Sequence, residues 1–281
     1  MARGATSALT VFRGRAGDRN ERGMLGARVL GSELARHTGQ NSVLIGQSRP
    51  VLNTSWETEL AAASPELRRL ACRYEELLDA GLSPVTAMNR CAAALATLPV
   101  LVRHRPDVRV VWLDAHPDLN TPATSATGYL GGMALAGATG MWDSGLGAGL
   151  PADNVVLGGV RDPDPPEQRL LDDGVVATVP VGPDMSSRLE ELLADHPVYL
   201  HLDCDVLEPG ILSTEQRVPG GMTLDQLEAV AELLADREPV GLEVAEFQVA
   251  EPGPSSTVEA SSGAAELVEA LSPLLRELGA R

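Results

Sequence analysis

Short apolar runs alternate along the chain with longer segments of helical periodicity. The apolar runs predict strands over residues 7–12, 42–45, 108–113, 155–160, 175–179, 198–202 and 240–244. Apolar residues at three- and four-residue spacing predict helices over residues 24–35, 64–80, 166–172, 186–194, 224–234 and 264–278. Strands that alternate with helices favour an α/β fold, in which helices cover both faces of a mainly parallel sheet.

The clearest amphipathic helix covers residues 64–80. Ser64 is suited to the N-cap and Pro65 to the first helical position. Leu67, Leu70 and Tyr74 then share one face. Cys72 stands beside this stripe, which predicts that its thiol packs in the interior.

Length and composition favour one domain spanning residues 1–281. A chain of 281 residues is long enough for one large domain or two small ones, and no break in composition divides it. The polar segment 251–263 (EPGPSSTVEASSG) predicts a loop.

The charge balance excludes one large class of partner. The chain has 39 acidic residues against 22 basic ones, all arginine, and its net charge of −17 is opposite to what nucleic-acid binding needs. No apolar run approaches the roughly 20 residues of a membrane span, and the first residues lack the apolar core of a signal peptide. The three scattered cysteines indicate reduced thiols rather than a disulfide framework. We therefore expect a cytoplasmic protein without membrane or nucleic-acid partners.

Acidic side chains and one histidine follow two of the predicted strands. Asp114, His116 and Asp118 come directly after strand 108–113, and alternate residues of an extended chain point the same way. Asp203 and Asp205 follow strand 198–202 in the same manner. Ligands of parallel sheets bind beyond the carboxyl ends of strands, so these side chains are expected to converge.

Four converging carboxylates repel one another unless a cation lies among them. Oxygen ligands with one imidazole suit Mn²⁺, and five ligands suit two ions that share bridging carboxylates. The alternative is that acidic residues follow strands only because they cap helices or lie in loops. Two such motifs, each after a buried strand, favour the metal site.

Five stretches, in this order along the chain, resemble the arginase or ureohydrolase family: VVWLDAHPDLNTP, SATGYLGGMALA, GGVRDPDPPE, LHLDCDVLEP and GLEVAEF. The resemblance implies a three-layer α/β/α domain that hydrolyses carbon–nitrogen bonds of linear amidines at two manganese ions. Its substrate would be a small guanidino compound.

The resemblance also implies roles for the metal-binding side chains. Asp114 and Asp203 would bridge both ions, and His116 and Asp205 would complete the second ion. Asp118 would bind the first ion and accept a proton from the attacking water.

Other matches imply an amino-acid substrate. Glu246 would hold the substrate guanidinium. Asn120 and Thr127 would contact the α-carboxylate, and Asp164 and Glu167 would lie near the α-ammonium group.

The first departure from the family concerns a metal ligand. The family segment GGDHS falls on residues 88–92, which places Cys91 where a histidine binds the first ion. A thiolate is a softer ligand that Mn²⁺ prefers less, so the first ion should bind more weakly. The alternative is that Cys91 is only a small packing residue.

The second departure is Gly131, which replaces a family histidine that contacts substrate or carries a proton. We expect its loss to open space beside the substrate guanidine. Together, Cys91 and Gly131 favour Nω-hydroxy-L-arginine as the substrate, giving L-ornithine and hydroxyurea. Hydrolysis of L-arginine or of another guanidino acid, and a non-catalytic binding role, remain the alternatives.

Three smaller expectations complete the prediction. His201 lies two residues before Asp203 on the same side of the strand, which favours a role in orienting a metal-binding carboxylate. Cys204 points the opposite way and is expected to pack. The chain also stops soon after its last predicted helix, without the extended tail that some arginases use between subunits, so we expect a monomer.

Overall fold

A computed structural model of the chain describes residues 7–250 and 263–279. Within them, eight parallel strands form one sheet in the order β2-β1-β3-β8-β7-β4-β5-β6. The strands are β1 Ser7–Phe12, β2 Val43–Ile45, β3 Ser83–Met88, β4 Arg109–Leu113, β5 Val155–Gly158, β6 Ala177–Val179, β7 Val198–Asp203 and β8 Pro239–Ala245. The helices are α1 Arg22–Thr38, α2 Trp56–Asp79, α3 Ala94–His104, α4 Ala134–Thr139, α5 Pro165–Asp172, α6 Met185–Leu193, α7 Leu224–Ala235, α8 Ala264–Ala270 and α9 Ser272–Glu277.

Alternate residues of the central strands pack into two separate hydrophobic cores, one on each face of the sheet. On β4, Val110 and Trp112 pack into one core, whereas Val111 and Leu113 pack into the other. The first core is covered by α2, α3 and α4, and the second by α1, α6, α7, α8 and α9. The predicted α/β fold with a three-layer arrangement is therefore confirmed.

The strand order places the carboxyl ends of four strands side by side. After β3 the chain crosses to β4 and continues outward to β5 and β6, and it later returns to fill the centre with β7 and β8. The carboxyl ends of β3, β8, β7 and β4 are consequently neighbours, which is where open parallel sheets bind ligands.

The sequence prediction missed one central strand and the helix after it. β3 begins with Ser83 and Pro84 and contains a threonine, so it lacks the continuous apolar run of a buried strand. In α3, residues 94–102 are all buried. A helix that is buried all round has no polar face, and it therefore lacks the periodicity that predicts a helix.

The predicted start of the second helix was wrong. α2 begins at Trp56, with Pro65 in its interior. Ser64 is not an N-cap, since its hydroxyl donates to the Leu60 carbonyl one turn earlier at 2.7 Å. The expectation that Cys72 packs inside was also wrong, because the residue is exposed.

The last predicted helix is divided into α8 and α9 at Leu271, two residues before Pro273. The predicted polar loop 251–263 lies outside the described residues, except for Gly263. None of the helices in the described ranges combines the length and apolar character needed to cross a membrane.

Candidate metal centre

The predicted metal-binding side chains meet where the four central strands end. Cys91 follows β3, Asp114 follows β4, Asp203 ends β7, and Glu246 follows β8. All four are buried, with 6% or less of their surface exposed. Within residues 7–250 and 263–279, seven carboxylate, imidazole and thiol groups lie close enough to share metal ions: Cys91, Asp114, His116, Asp118, Asp203, Asp205 and Glu246.

One part of this cluster, the imidazole half, consists of Asp114, His116 and Asp205. Nδ1 of His116 lies 3.3 Å from Oδ1 of Asp114 and 3.2 Å from Oδ2 of Asp205. Burial opposes the charge of His116, but the hydrogen bonds to both carboxylates and their charges outweigh it and raise the pKa to about 12. The imidazole is thus held between two carboxylates, and the three groups lie close enough together to share one metal ion.

The other part, the thiol half, consists of Cys91, Asp118 and Asp203, with Asp114 close to both halves. The Cys91 thiol donates to Oδ2 of Asp203 at 3.1 Å. Burial first, and then the charge of Asp203, raise the pKa of this thiol well above its ordinary value. The thiol therefore points into the carboxylates, as a ligand in the place of the family histidine would.

The donor set suits divalent ions. Burial first, and neighbouring carboxylates second, raise the pKa of Asp114, Asp118 and Asp203. Buried carboxylates that repel one another are stabilised by a cation between them. Asp114 is fixed by Trp112, whose indole Nε1 donates to Oδ2 at 3.0 Å, and backbone N–H groups hold Asp203 and Asp205. Oxygen and imidazole ligands in this arrangement fit Mn²⁺, and the thiol is the one softer donor.

His201 contacts a different carboxylate from the one predicted. Its Nδ1 lies 2.6 Å from Oε1 of Glu243, and its Nε2 lies 3.3 Å from Sγ of Cys91. The ring stacks on Trp112 with 3.5 Å between ring centroids. His201 therefore orients the thiol rather than a carboxylate of the cluster.

Glu246 is already held by three donors from the chain. Oε2 accepts from Nη1 of Arg90 at 2.6 Å, and Oε1 accepts from the Cys91 backbone N–H and the Tyr129 hydroxyl at 3.2 Å each. Burial raises the pKa of Glu246 to about 7 even though the Arg90 guanidinium lowers it. Both oxygens of the residue predicted to hold the substrate guanidinium thus have internal partners.

All of the predicted substrate-binding residues line one cavity above the cluster: Asn120, Thr127, Gly131, Asp164 and Glu167. The Asn120 amide donates to Oδ2 of Asp164 at 2.8 Å. Glu167 accepts from the backbone N–H groups of Leu119 and Asp164 at 2.9 Å each, and so joins the cavity wall to the start of α5. Burial raises the pKa of Glu167 to about 6.

The space expected beside Gly131 is filled. A Cβ atom at this position would lie 2.5 Å from Cε1 of Tyr129, so the tyrosine ring lies where a side chain at residue 131 would begin. The ring also faces Arg19, whose guanidinium carbon lies 4.4 Å from the ring centroid. The expectation of open space was therefore wrong, because the neighbouring Tyr129 replaces the missing side chain.

Asp118 and Glu246 have left-handed backbone conformations, with φ angles of 52° and 62°. Residues other than glycine rarely adopt such angles, and where they do the surrounding structure maintains them. The Asp118 carbonyl accepts from the Ala136 N–H at 3.0 Å, which helps to hold the turn. Both turns direct carboxylates into the site.

Sequence reasoning missed several cavity and site residues, and Arg19, Glu215 and Arg90 are charged ones among them. Arg19 and Glu215 line the cavity, and Arg90 lies beneath Glu246. Arg19 and Glu215 come from irregular loops, so strand ends did not point to them. Arg90 lies in the segment 88–92 that aligns with the family segment GGDHS, at the position of its aspartate. This reversal of charge was the signal that could have identified Arg90 as a site residue.

Comparison with known proteins agrees with this geometry. The sequence profile of the arginase family matches residues 21–271. The chain therefore belongs to the arginase family, a group of metal-dependent hydrolases that act on carbon–nitrogen bonds of linear amidines.

Individual relatives cover between 64% and 97% of the chain. The Nω-hydroxy-L-arginine amidinohydrolase of Streptomyces lavendulae is 35% identical over 97% of this chain and 98% of its own length. The arginase of Bacillus caldovelox is 28% identical over 64% of this chain and 65% of its own. The crystal structure of Bacillus subtilis arginase superposes with a TM-score of 0.80 at 21% identity, covering 96% of this chain and 98% of that one. The predicted family and class of enzyme are thus confirmed.

Proposed function

We propose that the protein hydrolyses the guanidino group of Nω-hydroxy-L-arginine to L-ornithine and hydroxyurea, with two Mn²⁺ ions as cofactor. The observation that carries the proposal is the thiol of Cys91, which faces the carboxylate cluster. The sequence resemblance aligns this residue with the family histidine. The 35% identity to the Streptomyces enzyme over almost the full length of both chains supports the proposal.

Residues of the chain would hold the metal and prepare the attack. Asp114 and Asp203 would bridge the ions, with His116 and Asp205 on the second ion and Cys91 and Asp118 on the first. Bound there, the two ions would lower the pKa of water towards neutrality.

The cavity residues would orient the substrate. Glu246 would accept an N–H of the guanidino group and place its carbon above the cluster, a positioning effect. Asp118 would take up a proton on its carboxylate and pass it to the departing amine. Asn120 and Thr127 would face the α-carboxylate, and Asp164 and Glu167 the α-ammonium group.

Three further properties belong to the proposal. The single sheet running through the described residues supports one catalytic domain over residues 1–281. A monomer and a cytoplasmic location stay predictions from the sequence.

A two-substrate assay tests the proposed function. Ornithine release is measured from L-arginine and from Nω-hydroxy-L-arginine with Mn²⁺ added, and we expect clear preference for the hydroxylated substrate. Preference for L-arginine would identify an ordinary arginase. Bound metal without ornithine from either substrate would point to another guanidino acid, and the absence of both metal and turnover would indicate a non-catalytic protein.

A further inference from the structure

Arg90 is a fully buried cation directly beneath the candidate substrate site. Its side chain is 0% exposed and does not line the cavity. Nε lies 3.0 Å from Oδ1 of Asp18, and Nη1 lies 2.7 Å from Oε2 of Glu215 and 2.6 Å from Oε2 of Glu246. An arginine side chain stays protonated in proteins, so Glu246 always has a guanidinium beside it.

The contact limits how Glu246 can bind a second guanidinium. A guanidinium binds a carboxylate most strongly through two parallel N–H bonds, one to each oxygen. Oε2 of Glu246 is taken by Arg90, and Oε1 accepts from the Cys91 N–H and the Tyr129 hydroxyl. Three of the roughly four lone pairs of the carboxylate are therefore used, and the one that remains can accept a single N–H from a substrate. An ion pair with two parallel hydrogen bonds to a substrate guanidinium is blocked.

We infer that Arg90 is a specificity-determining positioning residue, which favours an uncharged guanidine over a guanidinium by occupying Glu246. This inference rests on the proposed function, in which the substrate is an N-hydroxyguanidine. An electron-withdrawing oxygen on the terminal nitrogen makes that group less basic than the arginine side chain, so it reaches its neutral form at much lower pH.

Hydrogen bonds from the surrounding chain hold Arg90 in its contact with Glu246. Asp18 is held by the Asn89 amide at 2.8 Å and by the Ala16 N–H at 2.9 Å. Nη2 of Arg90 donates to the Asn20 carbonyl at 3.3 Å. These bonds fix the guanidinium so that Nη1 is directed at Glu246 by contacts within the chain itself.

Binding of two ligands that differ in charge tests the inference. L-citrulline carries a neutral urea group where L-arginine carries a guanidinium, and the two are otherwise closely similar in shape. Dissociation constants of both are measured on the Mn²⁺-loaded protein by titration calorimetry. We expect the unmodified protein to bind L-citrulline at least as tightly as L-arginine. Binding of L-arginine ten times more tightly than L-citrulline would overturn the inference without any variant.

Substitutions at residue 90 sharpen the test. Arg90→Gln should shift the ratio of the two constants towards L-arginine by about tenfold or more, since hydrogen bonds to charged groups are lost. Arg90→Lys keeps the charge and should stay within about threefold of the unmodified ratio, because lysine acts as a point charge. A purely structural role would weaken both ligands equally, and an unchanged ratio in folded Arg90→Gln protein would overturn the inference.

A second variant covers the case in which Arg90→Gln does not fold. Tyr129→Phe removes one donor from Oε1 of Glu246 without burying an unpaired charge, and a smaller shift in the same direction is expected. No shift would count against the inference. Failure of the proposed function can be distinguished from failure of this inference, because rapid ornithine release from L-arginine would reveal an ordinary arginase. In that case the Michaelis constant for L-arginine would replace its dissociation constant in the ratio.

Discussion

The imidazole half and the thiol half of the cluster share Asp114. They differ in the group that each adds to the carboxylates, which is an imidazole in one and a thiol in the other. His116 has 24% of its side chain exposed and is held as an imidazolium between two carboxylates. Cys91 is 2% exposed, and its thiol remains protonated beside Asp203. To become metal ligands, the imidazolium and the thiol must each lose one proton. The two resulting donors differ, because Mn²⁺ prefers a neutral imidazole to the softer thiolate. The thiol half should therefore bind its ion more weakly.

The largest effect is expected where the halves meet. Asp114→Asn removes a carboxylate that is close to both groups of ligands, so both ions should be lost. Several kcal/mol of transition-state stabilisation disappear with them, which corresponds to a loss of roughly 1000-fold in turnover. Metal analysis and ornithine release measure this change. Asp236→Asn, at the exposed residue that follows α7, is the control. Equal metal content in both variants would contradict the assignment of Asp114.

Loss of the histidine should separate the two halves. His116→Asn is expected to lower the bound manganese from two equivalents to one and turnover by about 100-fold, a smaller share of the metal contribution. Manganese is counted after dialysis against buffer with a low, fixed concentration of the ion. Retention of both ions would show that the halves are not distinct sites.

A histidine at residue 91 should make the halves alike. Cys91→His offers Mn²⁺ a ligand that it prefers to thiol, so we expect about tenfold tighter binding of the weaker ion and a gain of activity on L-arginine. Titration with Mn²⁺ and the two-substrate assay measure these effects. Cys204→Ala, at a buried thiol that packs in the second core, is the matched control. Unchanged metal affinity and substrate preference would leave Cys91 as a packing residue.

The smallest effect should arise from the support of the thiol. His201→Gln removes the ring that links Glu243 to Cys91, and loss of such supporting contacts lowers metal affinity by about tenfold or more. Only the affinity for the weaker ion should fall. The reason is that His201 contacts a ligand of the thiol half, Cys91, and no ligand of the imidazole half. Equal weakening of both ions would mean that the variant disturbs the sheet rather than the thiol.

The metal cluster followed from the sequence more directly than the cavity did. Asp114, His116 and Asp118 follow a strongly apolar strand, so their place at a strand end was enough to predict that they meet. The expected extended conformation was wrong, because the chain bends at residues 115–116 and turns left-handed at Asp118. The contact between Arg90 and Glu246 joins residues 156 positions apart, and it depends on the adjacency of β3 and β8 in the sheet. Because β3 lacks a continuous apolar run, neither that strand nor this contact could be predicted.

The filling of the Gly131 position was equally inaccessible. A glycine in the sequence indicates a missing side chain, but only the structure shows that the ring of Tyr129 occupies the place. The contact is between residues two positions apart, where an irregular loop meets the 3₁₀ helix Gly131–Met133. Neither strand spacing nor α-helical spacing fixes side-chain directions there.

The left-handed turns at Asp118 and Glu246 imply a conflict between durability and activity. Each costs about 1 kcal/mol of folding free energy relative to glycine, which adopts the same angles freely. At Asp118, where neighbouring carboxylates also oppose the charge, random variants selected only for resistance to heat should therefore accumulate glycine and melt later while losing a metal-binding carboxylate. At Glu246 the ion pair with the buried Arg90 opposes the same replacement. A search for sturdier forms of this enzyme should keep both residues fixed and seek its gains in the helices that cover the sheet.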